Sequence, residues 1–141
     1  MSARREFLIS LGAALAWSVP ARAQRPRTMY RVGYLGNSTA ALEANLIEPF
    51  RRGLRDLGYE EGRNITIEYR WAEGKYERFP ALIAELVALN LDVMVTAGTP
   101  AALAVKKAAI SVPLVIAAIG DPVGVGLVPS LARPGDRKSV V

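Results

Sequence analysis

The stretch Asp92–Ala108, D-V-M-V-T-A-G-T-P-A-A-L-A-V-K-K-A, constrains the fold more than any other part of the chain. Val93, Met94 and Val95 form a short apolar run with β-branched residues, which suits a buried parallel strand. Thr99-Pro100 is a helix-start signal: a hydroxyl to cap free amides, then a ring whose missing N–H costs nothing at the first helical position. Ala101–Ala108 holds strong helix formers and ends in Lys106 and Lys107, the charge that the C-terminal end of a helix dipole favours. A strand therefore runs through Ala97 and Gly98 directly into a helix N-terminus. Such a joint points unsatisfied amides at one spot, where a carboxylate or phosphate fits. The same pattern also describes an ordinary strand-to-helix junction in a sheet protein.

Three further units of the same kind flank it. Arg31–Leu35 reads as a strand and is followed by the small polar loop Gly36-Asn37-Ser38-Thr39. Its glycine spacing is not the G-x-G-x-x-G of a dinucleotide site, so no nicotinamide or flavin cofactor is indicated. The next helix is expected to bury Leu46, Phe50, Leu54 and Leu57 on one face. Pro49 belongs in its first turn, or kinks the helix if that helix starts near Leu42. Gly58-Tyr59 reads as its stop. Ile65–Arg70 alternates apolar and polar residues, which predicts a strand at a sheet edge. Phe79, Leu82, Ile83, Leu86 and Val87 then make the strongest helical stripe in the chain, with Asn90 as a terminator. Leu114–Ile119 is a continuous apolar run expected of a central strand, with Gly120-Asp121-Pro122 at its end.

Alternating strands and helices predict an α/β fold, a doubly wound parallel sheet with right-handed crossovers. All strand C-termini then share one edge, where open sheets of this kind bind ligands. The loops gathered there carry Asn37–Thr39, Trp71–Gly74, Gly98–Pro100 and Asp121–Pro122. Amides at Gly98, Thr99 and Ala101, with the Thr99 hydroxyl, are the candidate donors to an anion. Asp121 suits an ammonium group, although Asp before Pro also starts turns. Tyr34 and Trp71 are aromatic enough to stack a ligand, but core positions explain them better.

Composition removes several classes of function. The chain has no cysteine and no histidine, which excludes disulfides, thiolate metal sites and a Ser-His-Asp triad. The net charge of +5 is unevenly placed, with Arg4, Arg5 and Arg22 against Glu6 at the start. In the remainder basic residues alternate with Glu and Asp and no Lys/Arg run is threaded by aromatics, which argues against a nucleic-acid groove. At the start, Arg4-Arg5 precedes an apolar run from Phe7 to Val19 and then Ala21-Arg22-Ala23. A basic head, a short apolar middle and an A-x-A site describe a secretory signal peptide over residues 1–23, cut after Ala23. The run falls well short of the roughly 20 residues that span a bilayer. Arg4-Arg5-Glu6-Phe7-Leu8 also fits a twin-arginine signal, so the Sec and twin-arginine routes both stay open. Residues 24–30 form a flexible leader, and no membrane anchor is expected after cleavage.

Several blocks in one order then carry a resemblance. They are Val32-Gly33-Tyr34-Leu35-Gly36, Phe50-Arg51-Arg52-Gly53-Leu54, Leu57-Gly58-Tyr59-x-Glu61-Gly62-x-Asn64, Ile67–Gly74, Gly98-Thr99-Pro100-Ala101-Ala102 and Gly120-Asp121-Pro122-Val123. Together with Arg4–Phe7 they resemble the periplasmic substrate-binding proteins of ABC importers, in the branch associated with aromatic amino acids. The resemblance implies a type I binding-protein fold, two α/β lobes closing over a small solute, with no catalysis and no cofactor. Residues 31–135 would be the N-terminal lobe, and the partners would be a solute and, through the full-length protein, a membrane permease and its ATPase in the periplasm. It places ligand contacts at Asn37, Ser38 and Thr39, at Thr96, Gly98, Thr99 and Ala101, and at Asp121. The resemblance stops at Gly135; Asp136-Arg137-Lys138-Ser139-Val140-Val141 is expected to be a foreign or aberrant tail on a lobe truncated before its partner.

Two rival readings share the sheet. A small hydrolase or transferase would use Ser38 or Thr99 as nucleophile with Lys106 as base, but Lys106 lies about two helical turns from the site. An effector-sensing domain of a regulator would need a helix-turn-helix before Arg31, where the expected signal peptide stands instead.

Overall fold

The apolar runs pair as parallel strands, and the periodic stretches between them return across the sheet as helices. The computed structural model describes residues 29–129 and a two-residue strand at Ser139–Val140. The expected signal peptide, most of the expected 24–30 leader and most of the expected tail lie outside the described residues. In order, the elements are β1 (Tyr30–Gly36), α1 (Ala44–Asp56), β2 (Ile65–Trp71), α2 (Phe79–Ala88), β3 (Val93–Ala97), α3 (Thr99–Ala108), β4 (Leu114–Ala118) and β5 (Ser139–Val140). A single 3-10 turn at Tyr76–Arg78 leads into α2.

The strand order is β2-β1-β3-β4-β5, and every neighbouring pair is parallel. The chain steps outward from β1 to β2 and then back past β1 to β3. That reversal leaves a crevice between the C-terminal ends of β1 and β3, where doubly wound sheets take ligands. Here the crevice lies between Gly36 and Ala97.

Side chains alternate cleanly across the sheet. Leu35, Met94, Leu114 and Ile116 face α2 and α3, where Phe79, Leu82, Ile83, Leu86, Ala101, Ala102 and Val105 cover them. Val32, Tyr34, Ile65, Ile67 and Val95 face the other way, under Ile47, Phe50 and Leu54 of α1. The stripe expected on α2 is therefore the one observed. β2 is an edge strand, as its alternation predicted, and its outward Arg70 pairs with Glu85 of α2 at 2.8 Å.

Three expectations are corrected. α1 buries Ile47 rather than Leu46, and Leu57 lies beyond the helix and is exposed. The stripe is 47, 50, 54, because one helix alone covers this face and its axis sets which residues point inward. Pro49 sits inside α1 beyond its first turn. β4 is not central: among the described residues only the two-residue β5 lies outside it, pairing with Leu114 and Val115, and Ala117 and Ala118 are exposed. Its apolar run is long because its inward residues fill the α2/α3 side, not because strands flank it along its whole length.

The expected stop of α1 holds in detail. Gly58 adopts φ +87°, its N–H donates to Arg55 O, and Tyr59 N–H donates to Leu54 O. This pair of bonds closes a helix through a left-handed residue, which glycine adopts without steric cost.

Candidate functional site

The site is built where β1 and β3 end. Gly98 is the N-cap residue of α3 at φ +85°, and Thr99 and Pro100 are the first two helical residues. The cap itself comes from elsewhere. Asn37, in the loop after β1, accepts a bond from Ala101 N–H through Oδ1 at 3.0 Å and donates through Nδ2 to Ala97 O. A Cβ on Gly98 would lie 2.9 Å from Asn37 Nδ2, so glycine is what lets this amide approach. Asn37 thus caps a helix that starts some sixty residues later, and bridges from the end of β1 to the end of β3 while doing so.

This corrects the expected fan of free amides. The Gly98 N–H donates to Ala118 O at 2.5 Å, and the Ala101 N–H is taken by Asn37. Pro100 has no N–H. The Thr99 N–H and hydroxyl make no hydrogen bond to another described residue, so Thr99 carries the donors left at this helix end. Thr96 lies near the end of β3, below this junction. It is fully buried, and its hydroxyl donates to Leu35 O at 2.9 Å, which ties β3 to β1 and withdraws it from the edge.

The rest of the edge is tied to the same loop. Ser38 N–H donates to Glu43 Oε1 at 2.6 Å, and Ser38 O accepts from Glu73 N–H at 3.0 Å. Asn37 O accepts from Gly74 N–H at 2.8 Å and Gly36 O from Ala72 N–H at 3.0 Å. Thr39 starts the next turn, its Oγ1 accepting from Leu42 N–H and its carbonyl from Glu43 N–H. The loops after β1, β2 and β3 are therefore one hydrogen-bonded shelf. Asp121 stands apart from it. Its Oδ1 accepts from Gly124 N–H at 2.8 Å and its carbonyl from Val125 N–H, so it starts a turn and is partly spent.

Glu43 is the residue that sequence reasoning missed. It is only 6% exposed, at the N-cap position of α1, and also accepts from Tyr34 Oη at 3.2 Å. Its one sequence signal was an acidic residue just before a helix, which usually means a solvated cap.

Tyr34 is a core residue, with Phe50, Tyr69 and Trp71 around it at ring separations of 5.6–6.0 Å. Burial, and then the charge of Glu43, push its phenol well above the ordinary tyrosine range. Burial also raises Tyr69, with the charge of Glu61 adding and that of Arg51 opposing. Arg51 Nε lies 2.6 Å from Glu61 Oε1 but off the line of its N–H, so the contact is an ion pair rather than a hydrogen bond. A hollow of about 260 Å³ opens beside Arg51, Tyr69 and Trp71 under α1, away from the Asn37–Thr99 crevice. Lys106, the base of the rival reading, donates to Gly126 O and Leu127 O.

No helix among the described residues is long and apolar enough to cross a membrane. Residues 40–139 match the family described as ABC transporter substrate binding protein. The chain is 33% identical over 90 residues to a tyrosine-binding protein of Clostridioides difficile, covering 64% of this chain and 26% of that protein. A Streptococcus pneumoniae ABC domain solved in complex with L-Trp superimposes with TM-score 0.72 at 28% identity, over 79% of this chain and 37% of the other. A conserved domain protein from Vibrio cholerae gives TM-score 0.73 at 30% identity, over 79% and 38%. The ligand-free, open structure of a substrate-binding protein with adhesive properties from Clostridium difficile gives 0.69 at 25%, over 76% and 36%. The chain thus spans about a quarter of the curated relative's length and under two fifths of the solved structures. On the family match over residues 40–139, carried on a parallel sheet of the same fold, the chain belongs to the ABC transporter substrate-binding protein family.

Proposed function

We propose that this chain forms one wall of the cleft in which an exported binding protein captures a free amino acid for an ABC importer. The observation that carries this reading is the shelf at the β1/β3 crevice. Three loops are locked together there by their own hydrogen bonds, while the Thr99 N–H and hydroxyl remain unspent among the described residues. Rigid donors at a helix N-terminus suit a carboxylate, since the helix dipole and the hydrogen bonds act in the same direction. Each charge-assisted bond to such a group is worth on the order of 1.5–3 kcal/mol.

The relatives point to the solute: one is named for tyrosine, and one was solved with L-Trp. By that likeness Asn37, Ser38, Thr39, Gly98, Thr99, Ala101 and Asp121 line the near side of the cleft. Gly98 and Ala101 act there as backbone that lets Asn37 close in, rather than as free donors. The opposite wall comes from a second lobe, as the greater length of the relatives suggests. A solute then favours the closed form through contacts to both walls that the open form lacks. The permease and ATPase meet the closed form, and the signal peptide at residues 1–23 delivers the protein to the periplasm.

Calorimetric titration with L-tryptophan and L-tyrosine tests the reading. The 24–135 segment should bind at millimolar level or not at all, and a chain extended to the relatives' length at micromolar level or better. In that longer chain Thr99→Val should weaken binding by roughly tenfold, the worth of one such bond. Equal affinities for segment and extended chain would count against closure. Thr99→Val binding as the parent does would remove the shelf from the site.

A further inference from the structure

Glu43 is a buried carboxylate that pairs with no Lys or Arg among the described residues. Burying a charge without a counter-ion is costly unless hydrogen bonds and dipoles replace the lost water. Three things do so here: the amino end of α1, the Tyr34 hydroxyl and the Ser38 N–H. An alanine or an outward-pointing glutamine would avoid that cost, so the carboxylate has a use for which plain helix capping does not account.

Its two oxygens are divided between two tasks. Oε2 accepts from Tyr34, a side chain of β1 fixed within the aromatic cluster. Oε1 accepts from the Ser38 N–H, in the loop that leaves β1. From Ser38 the bonds run outward in series: Ser38 O to Glu73 N–H, Asn37 O to Gly74 N–H, and the Asn37 side chain to Ala97 and Ala101. Glu43 is the point at which this series is fastened to the rigid sheet. A Cβ on Gly36 would meet Glu43 Oε2 at 3.0 Å and the Trp71 ring at 2.2 Å, so the backbone passes close against both.

We infer that Glu43 is a positioning residue for solute capture: it sets the loop after β1, and through Asn37 the amino end of α3, in the shape that receives the ligand. The role rests on the proposed reading of the shelf as a solute site, but its mechanical half can be tested without a ligand. Backbone amide exchange on the chain reads the shelf directly. In Glu43→Ala the amides of Ser38, Glu73, Gly74 and Ala101 should exchange about tenfold faster or more, as expected for loss of a buried bond to a charged group. Those of Met94 and Val95, in the sheet core, should be unchanged.

Glu43→Gln supplies the rescue. Its carbonyl oxygen still accepts from Ser38 and its amide can donate to the Tyr34 oxygen, so exchange should stay within about threefold of the parent. Glu43→Asp keeps the charge on a shorter arm that cannot reach both partners, so it should loosen the shelf even where Glu43→Ala fails to fold. In the extended chain L-tryptophan affinity should fall about fivefold or more in Glu43→Asp and recover in Glu43→Gln.

Faster exchange confined to Ser38, or rising equally at Met94 and Val95, would overturn the inference. So would a loosened shelf with unchanged L-tryptophan affinity. If the unmodified extended chain binds neither L-tryptophan nor L-tyrosine, the amino-acid reading falls, and the exchange pattern alone decides whether Glu43 sets the shelf.

Discussion

The two faces of the sheet are built by different rules. On one, α2 and α3 press aliphatic side chains and alanines against Leu35, Met94, Leu114 and Ile116. On the other, α1 alone covers a patch dominated by aromatic rings, with a buried glutamate and a buried tyrosine hydroxyl at its upper end. The first face stabilises by removing apolar area from water, at about 25 cal/mol per Å². The second gives up some of that gain to polar groups that must each find a partner. Apolar packing thus holds the sheet from one side, while the loops of the candidate site are steered from the other.

Substitutions sharpen or break this contrast. The largest effect belongs to the aliphatic face. Leu86, fully buried between α2 and the sheet, should cost about 2–5 kcal/mol when changed to alanine, through lost transfer energy and the cavity left behind. Urea unfolding measures it, and a loss below 1 kcal/mol on the order expected of surface sites would remove the distinction between the faces.

Gly36→Ala comes next. The new methyl would meet the Trp71 ring at 2.2 Å, and a ring locked beside Tyr69 and Tyr34 cannot swing aside. Overpacking of this sort costs typically 1–3 kcal/mol, and near-UV circular dichroism should report the displaced tryptophan. Gly33→Ala on the opposite face makes the contrast, because its nearest neighbours are the mobile ends of Leu91 and Leu86, and it should cost less.

Asn37→Ala should cost roughly 1 kcal/mol, the usual worth of a helix cap, and should expose the Ala101 amide to exchange. It should leave the unfolding of the aliphatic face otherwise unchanged.

The smallest effect is confined to alkaline pH. The folded pKa of Tyr34 is raised above its unfolded value near 10, so its contribution is fully present below that pH. Above about pH 10 the unfolded chain releases the phenolic proton while the folded chain keeps it, and stability falls as pH rises. Tyr34→Phe should flatten that fall, and Tyr69→Phe should flatten what remains, since burial raises Tyr69 too. A stability–pH curve identical in parent and both variants would break the account of the aromatic face.

Much of the frame was legible because it obeys short-range rules. The runs at Val93–Ala97 and Ile65–Trp71, the stripe from Phe79 to Val87 and the stop at Gly58 each follow from periodicity or local sterics. The loops at the candidate site were legible as a group because parallel connectivity puts every strand end on one side. What each residue does there was less so. Asn37 and Ala101 lie 64 positions apart, and no window of sequence contains both. Thr99 looked like a capping hydroxyl and Ala101 like a free amide, until Asn37 took the cap from across the crevice.

By itself the sequence determined the kinds of element, their order and the edge on which a ligand could sit, since strand alternation and helical period depend only on neighbours along the chain. The tertiary structure decided which helix faces went inward, that β4 stands near the sheet margin, that Thr96 is internal and that Glu43 is buried beside Tyr34. Those outcomes depend on which distant groups compete for the same donors and the same space, and that competition exists only once the strands are side by side.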